Sequence, residues 1–292
     1  MAWYCPRCGL TADHAGTCSR DGATFAEVAA SDLIGHTLGE YRLIARLGGG
    51  AFGQVFRGVH VRSGHAAAIK LLDQPLGQRV ITEARAAAAI RHHNVVAVYD
   101  LGMTTDRRPY IVMEYLEGAP LSPRWYAARV PAAELVPIAT EILRGLAAAH
   151  RLGIVHRDLK PANVFATIGR IVIVDFGLAK MLADPNAPNL TVTGASLGTP
   201  RYMSPEQIEN RGVDGRTDLY ALGVMLHEAL CGKPPFEGST YELFDAHLSR
   251  EPPALPRDTP RELAAAILRA LAKPPGDRFA NADEMRRALR RR

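Results

Sequence analysis

Residues 155–163 read Val-His-Arg-Asp-Leu-Lys-Pro-Ala-Asn, which sets one carboxylate (Asp158), two cations (Arg157, Lys160) and one amide (Asn163) close together. Seventeen positions beyond Asp158, a second carboxylate opens Asp175-Phe176-Gly177, directly behind the apolar run Ile171-Val172-Ile173-Val174. That run reads as a buried strand bounded by Gly169 and Gly177. A lone Asp in a loop is most often a cap or turn residue. Here a strand delivers a carboxylate beside a loop that already holds Asp and Asn, and this suits a divalent cation. Hard ions such as Mg²⁺ take oxygen ligands and usually bridge to substrate phosphates.

A second chemical stretch lies upstream. Gly48-Gly49-Gly50-Ala51-Phe52-Gly53-Gln54-Val55 fits the pattern G-x-G-x-x-G-x-V. Glycines let backbone amides approach phosphates with no Cβ in the way. Residues 41–47 before it and 55–61 after it both have strand character, whereas a dinucleotide-binding turn would open a helix. Next comes Ala66-Ala67-Ala68-Ile69-Lys70-Leu71-Leu72, a strand whose one charge is Lys70. The helical stretch 79–91 carries Glu83 among alanines. A buried lysine needs a counter-charge to stay protonated and oriented, and Glu83 is the candidate. Farther on, residues 134–152 repeat apolar side chains at three and four, as a long helix does, and Gly153 stops it.

These pieces, in this order, resemble the signature set of the protein kinases. The resemblance runs from about Tyr41 to the C-terminus and implies an α+β fold of two lobes. The small lobe, 41–113, is β-rich with one main helix; a hinge follows at 114–118; the large lobe, 119–292, is mainly helical. The resemblance further implies that Asp158 accepts or orients the proton of an attacking hydroxyl and that Lys160 contacts the transferred phosphoryl. Asn163 and Asp175 hold Mg²⁺ or Mn²⁺, and Lys70, paired with Glu83, contacts the phosphates of ATP. Leu47, Gly48, Gly50, Gly53, Val55, Ala68, Met113, Glu114 and Leu116 complete the nucleotide site, Met113 behind the adenine. Lys160 after Asp158 is the Ser/Thr form of the loop. Asp218 is matched to the aspartate that braces the catalytic loop, and Arg278 to the arginine that pairs with Glu206. The stretch between Asp175 and Glu206 reads as an activation segment, with Thr191 and Thr193 as autophosphorylation sites. The implied partners are ATP, protein substrates with Ser or Thr, and a second copy of the chain for phosphorylation in trans. The competing class is a kinase-like scaffold that binds nucleotide without turnover.

The first 30 residues form a separate module. Cys5-Pro6-Arg7-Cys8-Gly9 is followed by Cys18-Ser19-Arg20-Asp21-Gly22. A Cys-x-x-Cys turn ending in Gly is the thiolate half of many zinc ribbons. Here Asp21 stands where the fourth Cys would, so Asp21 or His14 completes a Zn²⁺ site with Cys5, Cys8 and Cys18. So short a segment needs such a staple to fold. Residues 31–40 read as a linker, and removal of everything before Ser31 is expected to leave the kinase lobes folded on their own core.

The 292 residues are 47% hydrophobic and 22% charged, with a formal net charge of +5. That fits a globular protein whose mild positive charge suits polyphosphate. Few aromatic or basic residues surround the ribbon, so nucleic acid is not expected as a partner. No apolar stretch is long enough for a membrane helix. Met1-Ala2-Trp3-Tyr4-Cys5 is not a secretory signal, and the expected location is cytoplasmic.

Overall fold

A computed structural model describes residues 3–8, 10–27, 33–50, 53–73, 88–176 and 200–289. The chain divides into two compact units, one formed by residues 1–89 and 97–116, the other by residues 90–96 and 117–292.

The first unit holds two sheets. The smaller is the ribbon: β1 (Trp3–Tyr4) lies between β2 (Thr11–Ala12) and β3 (Ala26–Glu27), antiparallel to both. Two tight turns carry the cysteines, closed by Cys5 N–H to Leu10 O at 2.8 Å and Cys18 N–H to Ala23 O at 2.8 Å. Cys5, Cys18 and Phe25 are its buried centre.

The larger sheet has six strands: β4 (Thr37–Leu38), β5 (Tyr41–Gly50), β6 (Gly53–His60), β7 (Ala66–Leu72), β8 (Val98–Met103) and β9 (Pro109–Glu114). Their spatial order is β4-β5-β6-β7-β9-β8, with every pair antiparallel. Alternation along β7 explains the layering. Ala67, Ile69 and Leu71 point to one face and join Leu43, Phe56, Tyr110 and Val112 in the main core of the unit; Ala68 and Lys70 point to the other. Gly53 turns β5 into β6 with φ 143°, and a Cβ there would lie 2.1 Å from Leu71 O, so only glycine fits.

The stretch 31–40 was expected as a linker, and here the structure corrects the sequence reading. Thr37–Leu38 pair with β5 as an edge strand. The physical reason is the apolar content of the stretch: Leu33, Ile34 and Leu38 pack against the main core. The helix expected at 79–91, with Glu83, lies almost wholly outside the described residues.

The second unit is mainly helical, as expected. A small sheet joins β10 (Gly118–Pro120), β11 (Val164–Thr167) and β12 (Arg170–Ile173). Helices follow in order: α1 (Ser122–Ala127), α2 (Ala132–Arg151), α3 (Pro205–Ile208), α4 (Gly215–Cys231), α5 (Thr240–Ser249), α6 (Arg261–Ala270) and α7 (Ala282–Ala288). α2 is the long helix read from periodicity; Gly153 follows it with φ 72°. α4 is buried nearly all round and packs on α2 and α6. The Asp214 side chain caps its N-terminus, and Gly232 at φ 72° ends it. No helix among the described residues is long and apolar enough to cross a membrane.

Candidate active site

The catalytic loop hangs from one buried carboxylate. Asp218, in the first turn of α4, is 1% exposed. Its Oδ2 accepts from His156 N–H at 2.8 Å and from His150 Nε2 at 2.8 Å, and its Oδ1 accepts from Arg157 N–H at 2.9 Å. Burial pushes this carboxyl up, but the His150 hydrogen bond and the two nearby histidines outweigh it and hold it below its ordinary value. Arg157 adopts φ 64°, a conformation that costs a non-glycine residue about 1–3 kcal/mol. Its peptide is held on both sides, since its carbonyl also accepts from Gln207 Nε2 at 2.8 Å.

His156 ties this loop to the strand behind it. Its Nε2 lies 2.9 Å from Val174 O and its Nδ1 accepts from Asp158 N–H at 3.3 Å, which places the ring proton on Nε2. Val174 N–H donates to Asn163 O at 2.9 Å. Asp175 follows, also strained, with φ 59°. Asp158 Oδ2 meets Lys160 Nζ at 2.9 Å and Asn163 Nδ2 at 3.3 Å; Asn163 Nδ2 also donates to Asp158 O at 2.8 Å. The structure therefore gathers Asp158, Lys160 and Asn163 on one loop and ties Val174, which precedes Asp175, to Asn163. Carboxylate and amide oxygens are the donors that Mg²⁺ or Mn²⁺ prefers.

A second buried carboxylate anchors the loop beyond. Glu206 takes both arms of the Arg278 guanidinium, Nη1 to Oε1 at 2.8 Å and Nη2 to Oε2 at 2.9 Å, and Thr217 Oγ1 donates to it at 2.7 Å. Burial pushes Glu206 up, but these hydrogen bonds prevail and hold it below the ordinary glutamate value.

In the first unit the register aligns the expected nucleotide residues. Val55 pairs with Lys70 and Lys70 with Ile111, while Ala68 pairs with Met113. Directly paired residues share a face, so Val55, Ala68, Lys70 and Met113 lie together on the face opposite the main core. Lys70 is 8% exposed there. Gly48 pairs with Val55, extending that face into the glycine run that continues to Gly50 at the end of β5. Leu47 is half exposed, and Glu114 ends β9 with its N–H donating to Ala97 O at 2.8 Å, followed by Leu116. Glu83, Thr191 and Thr193 lie outside the described residues.

At the N-terminus, ligand atoms of Cys5, Cys8, Cys18 and Asp21 all lie within 4.8 Å of one another. Cys5 Sγ is 3.3 Å from each Asp21 oxygen, and Cys8 Sγ is 3.5 Å from Cys18 Sγ. A tetrahedral ion with bonds of about 2.3 Å to sulfur sets its ligands about 3.8 Å apart, so the four fit. Arg7 and Cys8 N–H donate to Cys5 Sγ at 3.4 and 3.5 Å. Ala23 N–H helps to hold Asp21 down at about 2, and burial pushes Cys8 up to about 12. Of the two candidates for the fourth position, the structure brings in Asp21; His14 is exposed and outside the group.

His150 and Gln207 were not read from the sequence. Their partners lie 68 and 50 residues away, and no local pattern announces such contacts.

Comparison with known proteins agrees with this geometry. Residues 41–286 match the family model described as protein kinase domain. Serine/threonine-protein kinase Pkn1 of Myxococcus xanthus is 44% identical over 88% of this chain and 39% of its own length. Serine/threonine-protein kinase PknB of Mycobacterium leprae is 36% identical over 87% of this chain and 43% of its own length. The chain thus spans about four-tenths of the length of these curated relatives. The chain belongs to the protein kinase family.

Proposed function

We propose that this chain transfers the γ-phosphoryl group of ATP to Ser and Thr hydroxyls of proteins, including its own. The observation that carries this reading is the loop suspended from Asp218, which fixes Asp158, Lys160 and Asn163 without using up the Asp158 carboxylate. In the step, the hydroxyl oxygen bonds to the γ-phosphorus, the bond to the β–γ bridging oxygen breaks, ADP leaves, and the hydroxyl proton passes to Asp158. Lys160 neutralises charge on the phosphoryl oxygens. Asn163 and Asp175 would hold Mg²⁺ or Mn²⁺, which supplies charge neutralisation on the phosphates. Lys70, with Glu83 as its partner, orients the phosphates beneath the glycine run, while Val55, Ala68 and Met113 enclose the base. A cytoplasmic setting suits the four free cysteines.

Autophosphorylation belongs to the same reading. Arg157 Nε is buried and has no hydrogen-bond partner among the described residues. A phosphothreonine brings a charge of about −1.5 to −2 and three acceptor oxygens, enough to engage an arginine and order a loop. Incubation with ATP is expected to place phosphate on Thr191, Thr193 or both, in trans between two copies, and none in Lys70→Met. Mass spectrometry checks it; phosphate found only elsewhere, or full activity in the double Ala variant, would reject these sites.

Residues 1–30 are read as a zinc module, with Cys5, Cys8, Cys18 and Asp21 as ligands. Three thiols and a carboxylate packed around one point support it. Elemental analysis is expected to find one Zn²⁺ per chain, lost in the Cys5→Ser, Cys8→Ser double variant. Equal zinc in both proteins would end this assignment.

A further inference from the structure

The ribbon is not a free appendage. Tyr4, 7% exposed, packs with Ile44 of β5 and Val59 of β6, which are 3% and 2% exposed, and Ala26 and Ile34 close the cluster. The main core takes Leu43 and Phe56 from the same two strands, and Ile34 packs against both clusters. Ile44 follows Leu43 directly in β5, so strand alternation turns the two to opposite faces, and a register shift falls between Leu43 and Ala45. Val59 shares its face of β6 with Val55, four residues earlier. Arg20 also comes near the β6–β7 turn, its Nη1 within 3.7 Å of where a side-chain carbon on Gly64 would stand.

Tyr4 is one peptide bond from Cys5, and Arg20 sits between Cys18 and Asp21. Tyr4, the docking residue, and Arg20 near it are therefore positioned by the turns that hold the thiols and the carboxylate. A segment of this size lacks the apolar area to hold its shape alone, and in such modules metal binding is folding. The hairpin that the ribbon covers is the one that ends in Gly48, Gly50, Gly53 and Val55. From Val59 to Val55 is about 13 Å of continuous strand at about 3.3 Å per residue.

We propose that the metal-loaded ribbon braces hairpin β5–β6 through Tyr4, so that metal occupancy at Cys5, Cys8, Cys18 and Asp21 sets the rigidity of the phosphate-side hairpin and hence ATP affinity. This rests on the zinc reading above. The metal is then a regulatory input: a thiol oxidant or a competing chelator that empties the ribbon weakens nucleotide binding without touching the catalytic loop.

The test uses the full chain. Zinc content, hydrogen exchange of residues 41–60, and ATP KM and kcat are measured before and after treatment with a strong chelator, and in Tyr4→Ala. Chelation is expected to speed exchange in 41–60 by about tenfold or more and to raise ATP KM by a similar factor. Exchange in α4 and kcat at saturating ATP should stay near their starting values. Tyr4→Ala should keep its zinc and show the same faster exchange and raised KM. If zinc is present and its removal leaves exchange and KM unchanged, the brace is overturned while the zinc site stands. If Tyr4→Ala keeps zinc and behaves as wild type, the Tyr4 route is overturned. If no zinc binds even on reconstitution, both the metal reading and metal control of the hairpin fall.

Discussion

Asp158→Asn is expected to lower phosphoryl-transfer turnover by about 10²–10⁴-fold, the usual contribution of a positioned base. The substitution removes the proton acceptor and the charge that holds Lys160 at 2.9 Å. It leaves the loop in place, because Asn163 Nδ2 bonds the backbone carbonyl of residue 158 at 2.8 Å and Asp218 carries the preceding two amides. Melting temperature should therefore stay close to that of the wild type while kcat collapses. Steady-state kinetics at saturating ATP, run beside a thermal melt, checks both halves. Wild-type turnover in a folded variant contradicts the role given to Asp158.

Arg278→Ala is expected to cause the largest loss of stability. Arg278 is 1% exposed, forms a two-armed pair with Glu206, and donates to the carbonyls of Ala272, Lys273 and Arg216. Its guanidinium also lies over the Tyr220 ring at 4.8 Å. Removing it strands a buried carboxylate and several carbonyls, and breaking a buried pair from one side costs about 3–5 kcal/mol. For a chain of this size that corresponds to a fall of about 6–20 °C in Tm. Arg278→Lys keeps the charge but not the planar fork and should fall between. The pH dependence gives the sign. Glu206 is held below its ordinary value in the folded chain, so its contribution is fully present above the unfolded value of 4.5 and is lost as pH falls through the lower folded value. The wild type should lose this increment in acid, and Arg278→Ala should have none to lose. Melts of the two proteins from neutral to acid pH measure the difference; parallel curves would refute it.

What the sequence revealed follows physical range. The loop 155–163, the strand ahead of Asp175 and the long helix ending before Gly153 are local patterns, and the structure builds each of them. The face shared by Val55, Ala68, Lys70 and Met113 follows from strand alternation once the pairing is known. Contacts set by packing across the sheet were not legible. Nothing near Ile44 or Val59 marks them as the seat of Tyr4, and the linker at 31–40 hid an edge strand because two residues carry too little pattern to show. Asp21 and His14 were equal candidates in one dimension, and the second turn decides between them by folding Asp21 onto Cys5.

The activity proposed for this chain is transfer of phosphoryl to protein hydroxyls. Its most direct measurement is incubation of the chain with γ-labelled ATP, Mg²⁺ and a Ser- and Thr-containing protein acceptor, followed by phosphoamino-acid analysis, with Lys70→Met and Asp158→Asn alongside. Label is expected on phosphoserine and phosphothreonine with the wild type, and only a trace with either variant. Nucleotide bound by the wild type with no label transferred to acceptor or to itself would contradict it, and would make this chain a scaffold.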